Sequence, residues 1–234
     1  RDRCTHRVTN AAMRAIPKVV VREATASVRA ALVPLFGALR PLPEPAPSDR
    51  HPVVMVHGYL GHPHVFRSLS RRMIERGWGQ IERVKYPSTR LSLGEIAGVI
   101  DDAVAPLAHN GPVDLVGHSL GAVACRAYLK VFGGDRYVRR FVSLGGPHAG
   151  TVMFRFAPPK LWSILDPDGI WVRRLAEGDE PVPTTIVRAR YDHQVMPPVQ
   201  VRLDGADELI LDGYGHNGLL WAPEAQEAVI SALS

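Results

Sequence analysis

Residues 113–130 read VDLVGHSLGAVACRAYLK, and the fold turns on how they are read. Val113–Val116 is a short, mainly apolar run of the kind buried on both faces of a parallel sheet. Leu120–Phe132 reads as a helix closed by Gly133-Gly134. Between them stands Gly117-His-Ser-Leu-Gly121, the pattern G-x-S-x-G. A strand that passes directly into a helix must turn sharply, and the turn pushes Ser119 out of the strand end in a strained backbone conformation. Small residues must lie two positions on either side, because a larger side chain there would collide with the neighbouring strand or helix. Ala122 and Ala124 keep that helix close to the sheet. The pattern alone is common, but between a buried strand and a helix it marks Ser119 as a candidate nucleophile.

Outward from this turn the chain alternates strand and helix. Pro52–His57 (PVVMVH) is a second apolar run, followed by a helix over residues 65–76 that ends at Gly77. Ile81–Tyr86 reads as a weaker strand. Ser92 and Glu95 have capping-box spacing at the start of a helix reaching Leu107. Val138–Leu144, Thr184–Ala189 and Glu208–Leu211 are further strands, and Pro223–Leu233 is a final helix with proline in its first turn. Such alternation predicts an α/β fold, a doubly wound, mostly parallel sheet of about six strands with helices on both faces.

A serine hydroxyl is a poor nucleophile at neutral pH, so it needs a histidine oriented by a carboxylate. In sheets with a serine elbow the chain order is Ser, then Asp or Glu, then His. Asp192 follows the strand TTIVRA, and His216 follows ELIL within Gly213-Tyr-Gly-His-Asn-Gly218. Both stand at carboxyl ends of strands, where such sheets assemble their sites. Asp212 competes for the acid, but it lies only four residues before His216; Asp166 and Asp168 belong to an irregular segment. His193 and His148 are read as surface loop residues. The loop His57-Gly-Tyr-Leu-Gly61 ends the first sheet strand, and its glycines let a backbone N–H face the serine. The amides of Tyr59 and Leu120 are therefore the expected oxyanion donors. The His57 side chain is assigned a structural role.

Composition bounds the remainder. Apolar residues make up 46% and charged residues 22%, enough for a substantial core. No apolar run approaches the ~18 residues needed to span a bilayer. The net charge of +5 is concentrated at the start, where residues 1–50 carry nine basic and four acidic residues. The body is formally neutral, which argues against an extended nucleic-acid groove. Apolar positions recur at helical spacing from Thr9 to about Leu39, interrupted by Pro17 and Pro34, so short or kinked helices are expected there. The run Pro41–Pro47 reads as a stiff linker. Residues 1–47 thus form a basic helical arm and linker, packed on the domain or at an interface, and 48–234 the catalytic domain. The basic face reads as a solvated helix surface, with contact to anionic lipid the alternative. Two cysteines, Cys4 and Cys125, lack the spacing of a metal site and support no disulfide beyond their number.

The stretches PVVMVHGYLG (52–61), VDLVGHSLGAVACRAYLK (113–130), FVSLGGPHAGT (141–151), RARYDHQVMP (188–197) and YGHNGLL (214–220) resemble the bacterial triacylglycerol lipases of the α/β-hydrolase superfamily, especially the small secreted kind. That resemblance implies Ser119, Asp192 and His216 as a catalytic triad, with the Tyr59 and Leu120 amides as oxyanion donors. It also implies hydrolysis of acylglycerols or other apolar carboxylic esters, often without a required cofactor; no metal, nucleic acid or obligate protein partner is expected. A transient contact with a lipid interface and a secreted or cell-envelope location belong to the same expectation, a cytoplasmic location being the alternative. On the same triad a thioesterase, phospholipase or polyester hydrolase is the main rival, and a silent binding module is the rival outside enzymes. Three features depart from the smallest relatives: Gly117 stands where they have alanine, residues 1–50 are additional, and the apolar segment 151–178 is longer. That segment reads either as a lid over an acyl pocket or as a packed excursion.

Overall fold

The computed structural model describes the backbone of residues 2–36 and 41–234, and the side chains of 17–35, 41–198 and 200–234. Strands β1 (Val53–Val56), β2 (Ile81–Val84), β3 (Val113–His118), β4 (Val138–Leu144), β5 (Thr184–Ala189) and β6 (Asp207–Leu211) form one sheet in the order β2-β1-β3-β4-β5-β6. Every neighbouring pair is parallel. Each of the six strands expected from sequence is present, in the doubly wound α/β-hydrolase arrangement.

Helix α1 spans Asp2–Phe36, followed by α2 (Arg67–Glu75), α3 (Leu93–Leu107), α4 (Leu120–Val131), α5 (Trp162–Leu165), α6 (Ile170–Ala176) and α7 (Pro223–Leu233). Strand β1, apolar and buried along its whole length, is covered on both faces. Val54, Val56, Leu115 and Phe141 pack with residues of α3 and α4 in one core. Val53, Met55, Val116 and Val142 pack with residues of α2 and α7 in another. This alternation along β1 is the period-two signature of a strand between two helix layers. The start of α3 carries the expected capping box: Ser92 accepts from the Glu95 amide and Glu95 from the Ser92 amide.

Of the short or kinked helices expected in the arm, separate short ones are not what forms. One α-helix of 35 residues runs through both Pro17 and Pro34. An interior proline removes a hydrogen bond and crowds the preceding turn, at about 3 kcal/mol, but here one face of the helix is held against the domain. Val19, Glu23 and Ala26 are buried and Val33 is half-buried, a spacing that follows the helical repeat. Among the described residues no helix is long and apolar enough to cross a membrane. Cys125 is buried and free; the Cys4 side chain lies outside the described residues.

Register fixes where the site can form. Val56 pairs with Gly117, Gly117 with Ser143, and Leu144 with Val187. The loops that follow β1, β3, β4, β5 and β6 therefore emerge along one edge, at the carboxyl ends of the strands.

Candidate active site

Ser119 sits between β3 and α4 at φ 55, ψ −126, one of two non-glycine residues with positive φ among those described. Such a conformation is costly for an L-residue and persists only where the surroundings enforce it. The enforcing contacts are visible on both sides. A Cβ at Gly121 would stand 2.3 Å from the Val56 carbonyl oxygen and 2.4 Å from that of His57. One at Gly117 would stand 2.5 Å from the Ala122 Cα. The glycines of G-x-S-x-G are thus present because two backbones pass where side chains would be. Gly58 is subject to the same limit, since its Cβ would lie 2.8 Å from that of Ser119.

His216 and Asp192 arrive from the far side of the sheet. His216 Nδ1 lies 2.7 Å from Asp192 Oδ2, with both side chains buried. The other oxygen, Asp192 Oδ1, accepts the amide N–H groups of Gln194 and Val195, each at 2.8 Å. Burial pushes the Asp192 carboxyl up, but the His216 charge and hydrogen bond, with the two amides, outweigh it and hold the group below its ordinary value. Burial likewise pulls His216 down, yet Asp192 and, more weakly, Glu23 raise it above the ordinary histidine value. The remaining nitrogen, Nε2, is buried and has no hydrogen-bond partner among the described residues. Ser119 and His216 border one cavity of about 310 Å³, whose walls include Met153, Phe156, Leu161, Leu165 and Val195.

The loop after β1 passes beside the serine. Leu60 has φ 55 and donates its amide to Ser88 Oγ at 2.9 Å, and Gly61 donates to the Gly58 carbonyl. Tyr59 and Leu120 line the Ser119 cavity. Their amides have no acceptor among the described residues. The His57 ring is stacked on Tyr86 with centroids 4.3 Å apart, and its Nδ1 meets the Gly58 carbonyl. Burial lowers its pKa to about 4, so it is a neutral packing group.

The competing acids lie elsewhere. Asp212 is exposed and pairs with Arg190, and Asp166 accepts the Asp168 amide. His193 is exposed at the cavity rim. His148 corrects the surface reading: it is 2% exposed, and its Nε2 lies 2.7 Å from Ser143 Oγ. The Gly-Gly-Pro turn before it folds the ring back under β4, which residue type alone does not reveal. Sequence reasoning also overlooked Glu23, Ser27 and Ser88, whose partners are remote in the chain. Among the described residues, no three or more His, Cys, Asp or Glu side chains gather as metal ligands would.

Segment 151–178 forms the roof of the cavity as 3-10 turns followed by α5 and α6. Leu161, Ile164 and Leu175 reach into the α3–α4 core, while Phe156 is 84% exposed at the mouth.

Solved structures share this architecture. Lipase B of Aspergillus fumigatus superposes with a TM-score of 0.62 at 17% identity, over 79% of this chain and 52% of that one. This chain therefore spans about half the length of the Aspergillus protein. A Bacillus licheniformis lipase in mature form matches at 0.64 and 15% identity, over 83% and 96% of the two chains. A monoacylglycerol lipase of Paleococcus ferrophilus matches at 0.59 and 18%, over 79% and 95%. At such identities the likeness establishes the fold. Family membership rests on sequence: the palmitoyl protein thioesterase model matches residues 52–195, more than half the chain, spanning β1, the Ser119 turn and Asp192. The superfamily implied by the motifs stands, and within it this chain belongs to the palmitoyl protein thioesterase family.

Proposed function

We propose that this protein is a serine hydrolase that cleaves carboxylic esters of apolar acyl chains through an acyl-enzyme. The observation that carries the reading is the buried His216–Asp192 pair, whose free Nε2 and the strained Ser119 border one apolar cavity. In this reading His216 Nε2 takes the Ser119 proton as Oγ attacks the carbonyl carbon. The Tyr59 and Leu120 amides receive the oxyanion, and Asp192 stabilises the imidazolium. His216 then protonates the departing oxygen or sulfur. A water molecule, deprotonated by the same nitrogen, releases the acid and regenerates Ser119.

The apolar walls favour a hydrocarbon acyl group, since a few placed polar groups in a mostly apolar cavity orient such ligands. The leaving group divides two readings. The lipase resemblance implies oxygen esters, including acylglycerols; thioesters are favoured by the family match. Rates on p-nitrophenyl esters of short and long chains, set beside acyl thioesters of the same chain, separate the two. Ser119→Ala is expected to lower turnover of either substrate by several orders of magnitude, to the ~10³–10⁴-fold residue over water left by binding and oxyanion contacts. A fluorophosphonate is expected to label wild-type Ser119. An unlabelled serine would favour a silent binding module.

A further inference from the structure

The N-terminal helix reaches the site. Glu23 lies 7% exposed on α1, and its carboxylate accepts the amides of Asn217 at 2.8 Å and Gly218 at 2.9 Å. These are the two residues directly after His216. A Cβ at Gly215, the residue directly before it, would stand 2.7 Å from Glu23 Oε2. Neighbouring positions on the same helix hold the same loop. Arg22 donates to the Gly213 carbonyl at 3.0 Å, and Asn217 Nδ2 donates to Ser27 Oγ at 3.0 Å. The loop that delivers His216 is thus gripped on both sides of the histidine by a helix about 190 residues away in sequence.

We propose that Glu23 is a positioning residue for the His216 base, clamping its loop through two backbone amides and placing a second carboxylate beside the imidazolium that forms during acyl transfer. This rests on the reading of Ser119, His216 and Asp192 as the reacting groups. A carboxylate is suited to the task for two reasons. Bonds from N–H donors to a charged acceptor are about twice as strong as neutral ones. Its charge also favours the protonated ring across a buried, weakly screened distance. His216 is faced by Asp192 from the β5 loop, His118 from β3 and Glu23 from α1. His118 Nε2 lies 3.4 Å from the His216 carbonyl, and burial lowers its pKa to about 3, leaving it neutral. Glu23 is itself faced by His193 at 4.0 Å. The two carboxylates are therefore the groups that favour a charged His216, which fits its raised pKa.

The test is the pH profile of kcat/KM with separate kcat and KM, in the full chain, on a soluble p-nitrophenyl ester. Glu23→Ala is expected to lower kcat on the order of 10–100-fold through misplacement of the base, with KM little changed. Glu23→Gln keeps the side-chain volume but removes the charge, so its acid limb is expected at lower pH than wild type; Glu23→Asp restores that limb. Arg29→Ala weakens the docking of α1 by removing a cation–π contact to Trp221, and should leave the limb in place. Should Glu23→Ala fail to fold, as read by near-UV circular dichroism, Glu23→Gln still decides. An acid limb for Glu23→Gln that coincides with wild type, while Ser119→Ala remains inactive, would overturn the role of Glu23. Turnover that survives Ser119→Ala would instead overturn the underlying assignment.

Discussion

At Ser119 the chain accepts a backbone conformation that costs about 1–3 kcal/mol, and two neighbouring glycines make it possible. Gly121→Ala would drive a methyl group into the Val56 and His57 carbonyl oxygens. Neither backbone can yield without moving β1 away from α4. The substitution is expected to destabilise by at least about 1–3 kcal/mol and to lower turnover together with stability. Gly98 is the contrasting case, exposed inside α3, where an added methyl group would meet nothing within 4 Å. Gly98→Ala is expected to stabilise by about 0.5–1 kcal/mol. Urea titration of the two variants checks both signs, and a neutral Gly121→Ala would refute the steric account. The need for small residues around Ser119 is legible in the five-residue pattern. The identity of the backbones that require them is not.

At the scale of elements, two segments decide how the site is enclosed. Segment 151–178 has an apolar inner side that roofs the cavity and several apolar residues facing outward, among them Phe156, Trp162 and Ile170. Its composition allowed a lid or a packed excursion. Its anchors lie in the main core, with Ile164 only 4% exposed. If residues 161–175 belong to the cooperative core, Ile164→Ala is expected to lower global stability by about 2–4 kcal/mol. A mobile flap, already open in the ensemble from which unfolding begins, would lose almost none of that. Chemical denaturation distinguishes the two outcomes. Helix α1 makes the complementary point. Its apolar spacing announces a helix with a buried stripe, but not that Arg22, Glu23 and Ser27 grasp the loop around His216.

Over the whole molecule, buried histidines tie stability to pH. Burial lowers His57 to about 4 and His118 to about 3, and holds His148 well below its ordinary value. In the unfolded chain the same rings protonate near 6.5. Below that pH the unfolded state binds more protons than the folded one, so stability falls as pH drops. Around pH 5 three such rings correspond to a slope of up to roughly 4 kcal/mol per pH unit. His216, raised in the folded state, is protonated in both states there and adds nothing. Asp192, held below its ordinary value, loses its contribution only at lower pH. Urea midpoints are therefore expected to fall steeply between about pH 6.5 and pH 4.5. A flat profile across that window would show that these rings protonate in place.

The order of residues alone establishes the alternation of strands and helices, the parallel sheet and the serine turn. Each is written in local chemistry: apolar runs, helix caps, and glycines at a spacing that only a tight turn demands. It also singles out Asp192 and His216 by their order after strands, as candidates among several acids and ten histidines. It took the packed chain to show that those two form a buried pair, that His148 lies inside, and that Leu161, Ile164 and Leu175 of segment 151–178 are buried against the α3–α4 core. Packing also brings Glu23 to the His216 loop. These facts depend on which distant surfaces meet once the layers pack, and a pattern of three or four residues carries no record of that. The turn at Ser119 is local, whereas the environment that would make its hydroxyl reactive is assembled from the whole chain.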